Sequence, residues 1–228
     1  MAILLGIETA TPVCSVAVWR DNKVLALVES EGEKDHSAKV NGYIQKALAE
    51  ANLSLSDLDG VVVSAGPGSY TGLRIGVSTA KGLCVALDIP LLAINTLLAM
   101  AYEGLRKHPD TQQCPMIDAR RMEVYALIQN EKREIIAETK PYILDESSFE
   151  NFLIKKTIFM GNGMPKWKEI STNNNTFFDD EIKPSAKNIV VLGEQKFKQK
   201  LFEDIAYYEP FYLKAANAQV SKKNFLHG

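Results

Sequence analysis

The sequence SAGPGSYTGLRIG at residues 64–76 decides the fold of this chain. An apolar run, VVV at residues 61–63, precedes it, and apolar residues at helical spacing follow it as far as Leu87. The order is therefore a buried strand, a glycine-rich turn and a helix. Because glycine allows close backbone approach and a helix N-terminus attracts anions, this order suggests a nucleotide or phosphate site.

The spacing of the glycines argues against both common phosphate-binding signatures. In the dinucleotide fingerprint G-x-G-x-x-G the third glycine would come one residue before Gly72, and a P-loop would carry a lysine directly after Gly72 or Gly76. Judged by spacing alone, we favour a tight turn whose small residues let the helix pack on the sheet over a phosphate cradle.

The string GPGSYTGLRIG also closely resembles the signature loop of the bacterial TsaB family, also called YeaZ. Other segments match that family in the same order: residues 5–10 and 14–18, His36 with Ser37, residues 117–120 and 123–126, and residues 208–213. The match is dense over residues 3–98, thinner over 99–160 and almost absent over 161–205. TsaB proteins are the non-catalytic dimerisation subunits of the machinery that makes threonylcarbamoyladenosine in tRNA.

Apolar patterning predicts the element order β-β-β-α-β-α-β-α in the first half, with strands at 3–8, 13–20, 24–29, 60–65 and 91–94 and helices at 36–51, 71–87 and 96–105. We expect Asp35 to cap the first of these helices. By analogy, this is the lobe order of the actin-like, ribonuclease-H-like ATPase fold.

The second half predicts a reduced copy of that lobe. Its expected elements are strands at 114–118, 123–129, 134–143 and 158–160, a short helix at 147–154, an exposed loop at 171–176 and a helix at 189–202. We therefore predict an α/β protein of the actin-like, ribonuclease-H-like ATPase fold. Its N-terminal lobe spans residues 1–97, its smaller C-terminal lobe residues 98–213 and its tail residues 214–228.

The composition is that of an ordinary globular protein. The chain has 228 residues and a formal net charge of -2, so its composition does not indicate the basic surface that a protein binding tRNA on its own would carry. The three cysteines are far apart, which argues against a disulfide framework or a zinc site, and Cys14 and Cys84 read as buried small hydrophobes. No signal peptide or membrane span is evident, so we expect a cytoplasmic protein.

Actin-like ATPases hold nucleotide between their lobes with glycine-rich turns and acidic residues. Here the first turn, residues 8–12, has no glycine and contains Pro12, and its second-lobe counterpart, residues 118–121, also lacks glycine. The nucleotide-proximal candidates are Glu8, Ser69, Tyr70 and Asp118. Glu8 and Asp118 could approach across a cleft, but we favour a structural role in which Asp118 pairs with Arg120 or Arg121.

The sequence gives little support for a metal site or for peptidase activity. The catalytic partner in the resembled pathway carries an H-x-x-x-H metal pair, whereas this chain has only His36, His108 and His227. Neither a zinc-protease motif nor a Ser/His/Asp or Cys/His set supports a peptidase. We predict no metal site in this chain, and His36 reads as a cap or packing residue.

The two helices at 36–51 and 71–87 are better candidates for function. Each contains glycine, which costs a helix about 1 kcal/mol against alanine, and close approach by another backbone would explain it. The resemblance implies that this helical pair meets the catalytic subunit and, in isolation, mediates self-association. The predicted partner-interface residues are Lys39, Val40, Gly42, Tyr43, Arg74, Ser78 and Lys81.

The resemblance implies a non-catalytic subunit that binds and activates a paralogous metal-dependent transferase. It implies a small ATPase subunit as second partner, a homodimer in isolation, and contact with tRNA only through the complex. ATP and the metal would belong to the partner subunits, and this chain alone would bind no cofactor. The alternative is a small phosphotransferase of the same fold, which the short length and the impaired phosphate turns disfavour.

Overall fold

The computed structural model describes residues 2–30 and 36–214, which form two five-stranded mixed sheets. The first sheet has the order β3-β2-β1-β4-β5, with antiparallel β1, β2 and β3 and parallel β1, β4 and β5. Its strands are β1 (Ile3–Glu8), β2 (Ser15–Arg20), β3 (Lys23–Glu29), β4 (Gly60–Gly66) and β5 (Leu91–Asn95). The β2–β3 turn has positive φ at Asp21 and Asn22, as its hairpin sequence predicts.

The second sheet repeats the topology of the first. Its order is β10-β9-β6-β7-β8, so an antiparallel three-stranded meander is again extended by two parallel strands on the side of its first strand. The strands are β6 (Gln112–Asp118), β7 (Glu123–Gln129), β8 (Ile135–Ile143), β9 (Thr157–Met160) and β10 (Thr176–Asp179). Two copies of one lobe, the second with shorter parallel strands, confirm the predicted actin-like architecture.

In the described part of the chain, five α-helices cover the sheets: α1 (His36–Glu50), α2 (Tyr70–Leu87), α3 (Thr96–Lys107), α4 (Met164–Lys168) and α5 (Ala186–Lys198). Helices α1 and α2 share one core with the first sheet, which contains Val40, Ile44, Val63, Val77 and Cys84. Helix α5 packs on the opposite face of that sheet, against Leu4, Val62 and Leu92. β4 is buried on both faces, which is why its sequence is a continuous apolar run.

Several predicted elements of the second half need correction. Helix α4 and strand β10 were not expected, and the helix placed at 189–202 begins at Ala186 and ends at Lys198. The helix expected at 147–154 is a single 3-10 turn, Glu150–Phe152. The predicted cap Asp35 lies outside the described residues, as does all of the predicted tail except Lys214.

After α5 the chain returns to the first lobe as an extended segment, residues 201–214, which we call the strap. Glu203 N donates to Leu91 O at 2.9 Å, and Phe211 N donates to Ala65 O at 2.7 Å. A Cβ on Gly66, whose φ is +105°, would lie 2.7 Å from Phe211 O, so the strap can cross here only over glycine. Within residues 2–30 and 36–214, no helix is both long and apolar enough to cross a membrane.

Candidate functional site

The glycine loop is filled by the chain itself. A Cβ on Gly72 would lie 2.1 Å from Thr9 O, and one on Gly76 would lie 2.3 Å from Thr9 Oγ1. A Cβ on Gly68 would lie 2.4 Å from Ala10 O. The glycines therefore let α2 pack on the β1–β2 loop, as the tight-turn interpretation predicts.

Polar groups at the N-terminus of α2 also form hydrogen bonds within the chain. The hydroxyl of Ser69, its N-cap, accepts a hydrogen bond from Gly72 N at 3.2 Å. Ser69 N donates to Ala10 O at 2.6 Å, and Thr9 Oγ1 donates to Gly72 O at 2.8 Å. Two of the backbone donors at this helix end, Ser69 N and Gly72 N, are therefore already engaged within the chain.

Glu8 ends β1, and its side chain is fully buried. Its Oε1 accepts a hydrogen bond from Ala10 N at 2.6 Å, whereas Oε2 has no partner among the described residues. Burial raises the pKa of Glu8 to about 7, although hydrogen bonds from Ala10, Ser64 and Thr9 act in the opposite direction. The carboxyl group therefore changes charge near neutral pH in a position that supports the β1–β2 loop.

Asp118 has the predicted structural role, in which the backbone of Arg120 takes part, but its ion pair is made with an unpredicted residue. Its Oδ1 accepts a hydrogen bond from Arg120 N at 2.5 Å and forms an ion pair with Lys166 Nζ at 2.7 Å. The same ammonium donates to Glu123 O at 3.0 Å. The expected side-chain pair with Arg120 or Arg121 is wrong because the unpredicted helix α4 brings Lys166 to this turn.

The two acidic candidates, Glu8 and Asp118, are engaged separately. No hydrogen bond or ion pair joins Glu8 to Asp118 in the described parts of the chain, since each carboxyl group is engaged within its own lobe. The loop at residues 8–12, which corresponds to the phosphate-binding turn of actin-like ATPases, packs against the glycine loop. Across residues 2–30 and 36–214, no group of three His, Cys, Asp or Glu side chains is placed to hold a metal ion.

The predicted partner-interface residues lie on α1 and α2, and most of them face outward. Gly42, Arg74 and Ser78 are exposed, whereas Lys39, Tyr43 and Lys81 are half-buried. Val40 is only 1 % exposed and packs in the core with Ile44 and Val63, so its assignment to the surface is wrong.

The strap adds residues to this surface that sequence reasoning missed. Tyr212 stacks on Tyr70 with ring centroids 4.8 Å apart, and Lys214 pairs with Glu123 of β7. The strap sequence has no helical or strand periodicity, so only its match to the resembled family over residues 208–213 marked it. The segment links the outer face of α2 to the second lobe.

Fold and site together define a two-lobed protein of the actin-like α/β class in which the β1–β2 loop packs into the glycine loop. A model of the family described as TsaD, tRNA N6-adenosine threonylcarbamoyltransferase, matches residues 26–222. The "tRNA threonylcarbamoyladenosine biosynthesis protein TsaB" of Escherichia coli is 31% identical over 92% of this chain and 94% of its own length. The Bacillus subtilis protein of the same name is 28% identical over 95% and 96%. The chain belongs to the TsaB family.

Solved structures agree on the fold. YeaZ from Pseudomonas aeruginosa aligns with a TM-score of 0.80 and 24% identity, covering 93% of this chain and all of that chain. The activator of the 2-hydroxyisocaproyl-CoA dehydratase from Clostridium difficile aligns with a TM-score of 0.50 and 10% identity over 89% of this chain. Both likenesses concern the arrangement of the chain alone.

Proposed function

We propose that this chain is a non-catalytic subunit in the biosynthesis of threonylcarbamoyladenosine in tRNA, and that it binds and activates a metal-dependent transferase of the same fold. The observation that carries the proposal is the filled glycine loop: Thr9 and Ala10 occupy the space that phosphate would need. We infer that a protein of this fold without an open phosphate site functions by binding partner proteins through its surface. Membership of the TsaB family supplies the pathway.

The exposed face of α1 and α2 is the surface we assign to the transferase homologue. Among the residues that the structure describes, no atom outside the helix's own backbone lies within 4 Å of a Cβ built on Gly42 or on Gly82, so neither glycine is needed for packing against them. Val85, on the same exposed side of α2 as Gly82, is 70% exposed. Small and apolar residues on two neighbouring helices let a partner's helices approach closely.

The same face would pair two copies of the chain when the transferase homologue is absent. We assign ATP and the metal ion to the partner subunits, with a small ATPase as the third component and tRNA contacted only through the complex. We expect the complex to work in the cytoplasm. The alternative, a phosphotransferase, would need a phosphate cradle that the β1–β2 loop fills.

Two charge insertions test the proposed interface. Gly42→Glu and Ser78→Arg place a charge on exposed positions of α1 and α2, where a partner's surface would desolvate it at a cost of several kcal/mol. We expect both variants to fold, to lose binding to the transferase homologue in size-exclusion chromatography, and to lose self-association together. Asn174→Glu and Thr172→Arg, in the exposed loop before β10, are the matched controls.

Normal binding by both helix variants would refute the assigned face and move the search to the second lobe. Catalysis is tested on the same samples: we expect no ATP hydrolysis by the purified chain alone. Robust turnover that disappears in Asp118→Ala would favour the phosphotransferase instead.

A further inference from the structure

A groove of about 420 Å³ lies between helix α2 and the strap. Tyr70, Arg74 and Lys81 line it from α2, and Glu209, Tyr212 and Lys214 line it from the strap. The groove opens beside Ser78, on the face assigned above to the transferase homologue. Its walls come from segments more than 120 residues apart, so it exists only because the strap returns to the first lobe.

The walls of the groove are predominantly basic. They carry three cations and the single carboxylate of Glu209. The charge of Lys214 is matched by Glu123, whereas Arg74 and Lys81 form no ion pair within residues 2–30 and 36–214. Lys81 Nζ has only a long hydrogen bond, 3.5 Å, to Ala206 O. Two cations are therefore left for an occupant to neutralise.

Aromatic rings hold one of these cations in place. The guanidinium of Arg74 lies 4.7 Å from the centroid of the Tyr70 ring, which stacks on Tyr212. The hydroxyl of Tyr208, at the wall of the groove, is buried without a hydrogen-bond partner among the described residues. The groove thus offers more donors than its single carboxylate can satisfy.

The spacing of Arg74 and Lys81 indicates what kind of anion fits. Seven residues separate them, so they lie on one side of α2 and about 10 Å apart along its axis. One small anion cannot bridge that distance. An extended peptide rises about 3.3 Å per residue and turns alternate side chains to opposite faces. Two carboxylates on the same face, two or four positions apart, are therefore about 7 or 13 Å from each other, and the long side chain of Lys81 can adapt to either spacing.

We propose that the groove receives an extended acidic segment of the transferase homologue, with one carboxylate on Arg74 and the next on Lys81. Tyr70 and Tyr212 would cover the apolar part of that segment. This inference rests on the proposed function, because it specifies the chemistry by which the same partner is recognised. It adds the strap to an interface otherwise made by α1 and α2.

Carbodiimide cross-linking of the complex tests the pairing at Lys81 directly. The reagent joins an amine to a carboxylate in contact with it, so the complex of the full chain with the purified transferase homologue should give a Lys81–Asp or Lys81–Glu bond, identified by mass spectrometry. Lys81→Arg keeps the charge but removes the amine. We expect it to bind as the parent does and to lose the cross-link.

Affinity measurements supply the second readout. We expect the double variant Arg74→Gln with Lys81→Gln to bind the transferase homologue about tenfold more weakly and with less salt dependence, whereas Lys132→Gln, an exposed cation of the β7–β8 turn, should bind as the parent. Equal binding by the double variant and the control would overturn the inference, as would a parent complex without any Lys81 cross-link. A parent chain that does not bind the homologue at all would instead refute the proposed function.

Discussion

Replacing Glu8 with glutamine should change how the stability of this protein depends on pH. Burial raises the pKa of Glu8 from 4.5 to about 7, so the folded state holds a proton that the unfolded chain releases at lower pH. Between these two values, each rise in pH therefore favours unfolding. The contribution of Glu8 to stability is fully present below pH 4.5 and is lost as the pH rises through 7.

The size of the effect follows from the two pKa values. One unit of difference corresponds to about 1.4 kcal/mol, and titration of a single group from 4.5 to 7 removes about 2.5 kcal/mol between pH 5 and pH 8. No discount for solvent screening applies, because the side chain is fully buried. Glutamine keeps an acceptor for Ala10 N and cannot ionise, so this part of the pH dependence should vanish.

The assay is urea unfolding of the parent and of Glu8→Gln at pH 5, 6, 7 and 8. The two stability curves should diverge steadily, and the difference between them should change by about 2.5 kcal/mol in favour of the variant at high pH. Glu50→Gln, at the exposed end of α1, is the control and should leave the slope of the parent unchanged. Parallel curves for the parent and Glu8→Gln would show that Glu8 is ionised throughout and would refute the reasoning.

Two further predictions concern the glycines and the second-lobe turn. Gly72→Ala should lower the free energy of unfolding by about 3 kcal/mol, because its Cβ would meet the backbone oxygen of Thr9. Gly82→Ala should raise the free energy of unfolding by about 1 kcal/mol, because it lies on an open helix face. Equal effects of the two substitutions in urea unfolding would contradict the packing role of the loop. Lys166→Met should cost about 1 kcal/mol by thermal or urea unfolding, since the ion pair with Asp118 is partly exposed. An unchanged midpoint would show that the pair contributes nothing.

Most of the first lobe could be predicted because its elements are long and strongly patterned. Helix α2 shows buried apolar residues at helical spacing over 18 residues, and β4 is a continuous apolar run. The β2–β3 turn carries its own signal in Asp21 and Asn22. Each of these elements carries a strong sequence signal, and tertiary packing did not override the secondary structure that this signal predicts.

The missed parts are short or held by distant contacts. Helix α4 has five residues and β10 has four, too few to show a period. The partner of Asp118 could not be assigned because it sits on α4. Val40, predicted at the partner interface, lies in the core instead, since helical spacing alone gives the apolar stripe of α1 but not the direction in which its edge faces.

The filled glycine loop was within reach of sequence reasoning, and the groove was not. The spacing of Gly68, Gly72 and Gly76 already argued against a phosphate cradle. The groove depends on the strap, which is fixed by single backbone bonds such as Phe211 N to Ala65 O rather than by a repeated pattern. Its cations are also ordinary surface residues until the fold places them together.

The position of α5 has a consequence for synthesis on the ribosome. The face of the first sheet that contains Leu4, Val62 and Leu92 is covered by a helix that begins only at Ala186. At about 5–20 residues per second, the ribosome needs roughly 5–20 seconds after completing β5 to deliver that helix. During this interval the nascent chain presents an apolar sheet face that α3 covers only in part, through Ala99. Until α5 is made, that face is exposed to aggregation or to binding by chaperones.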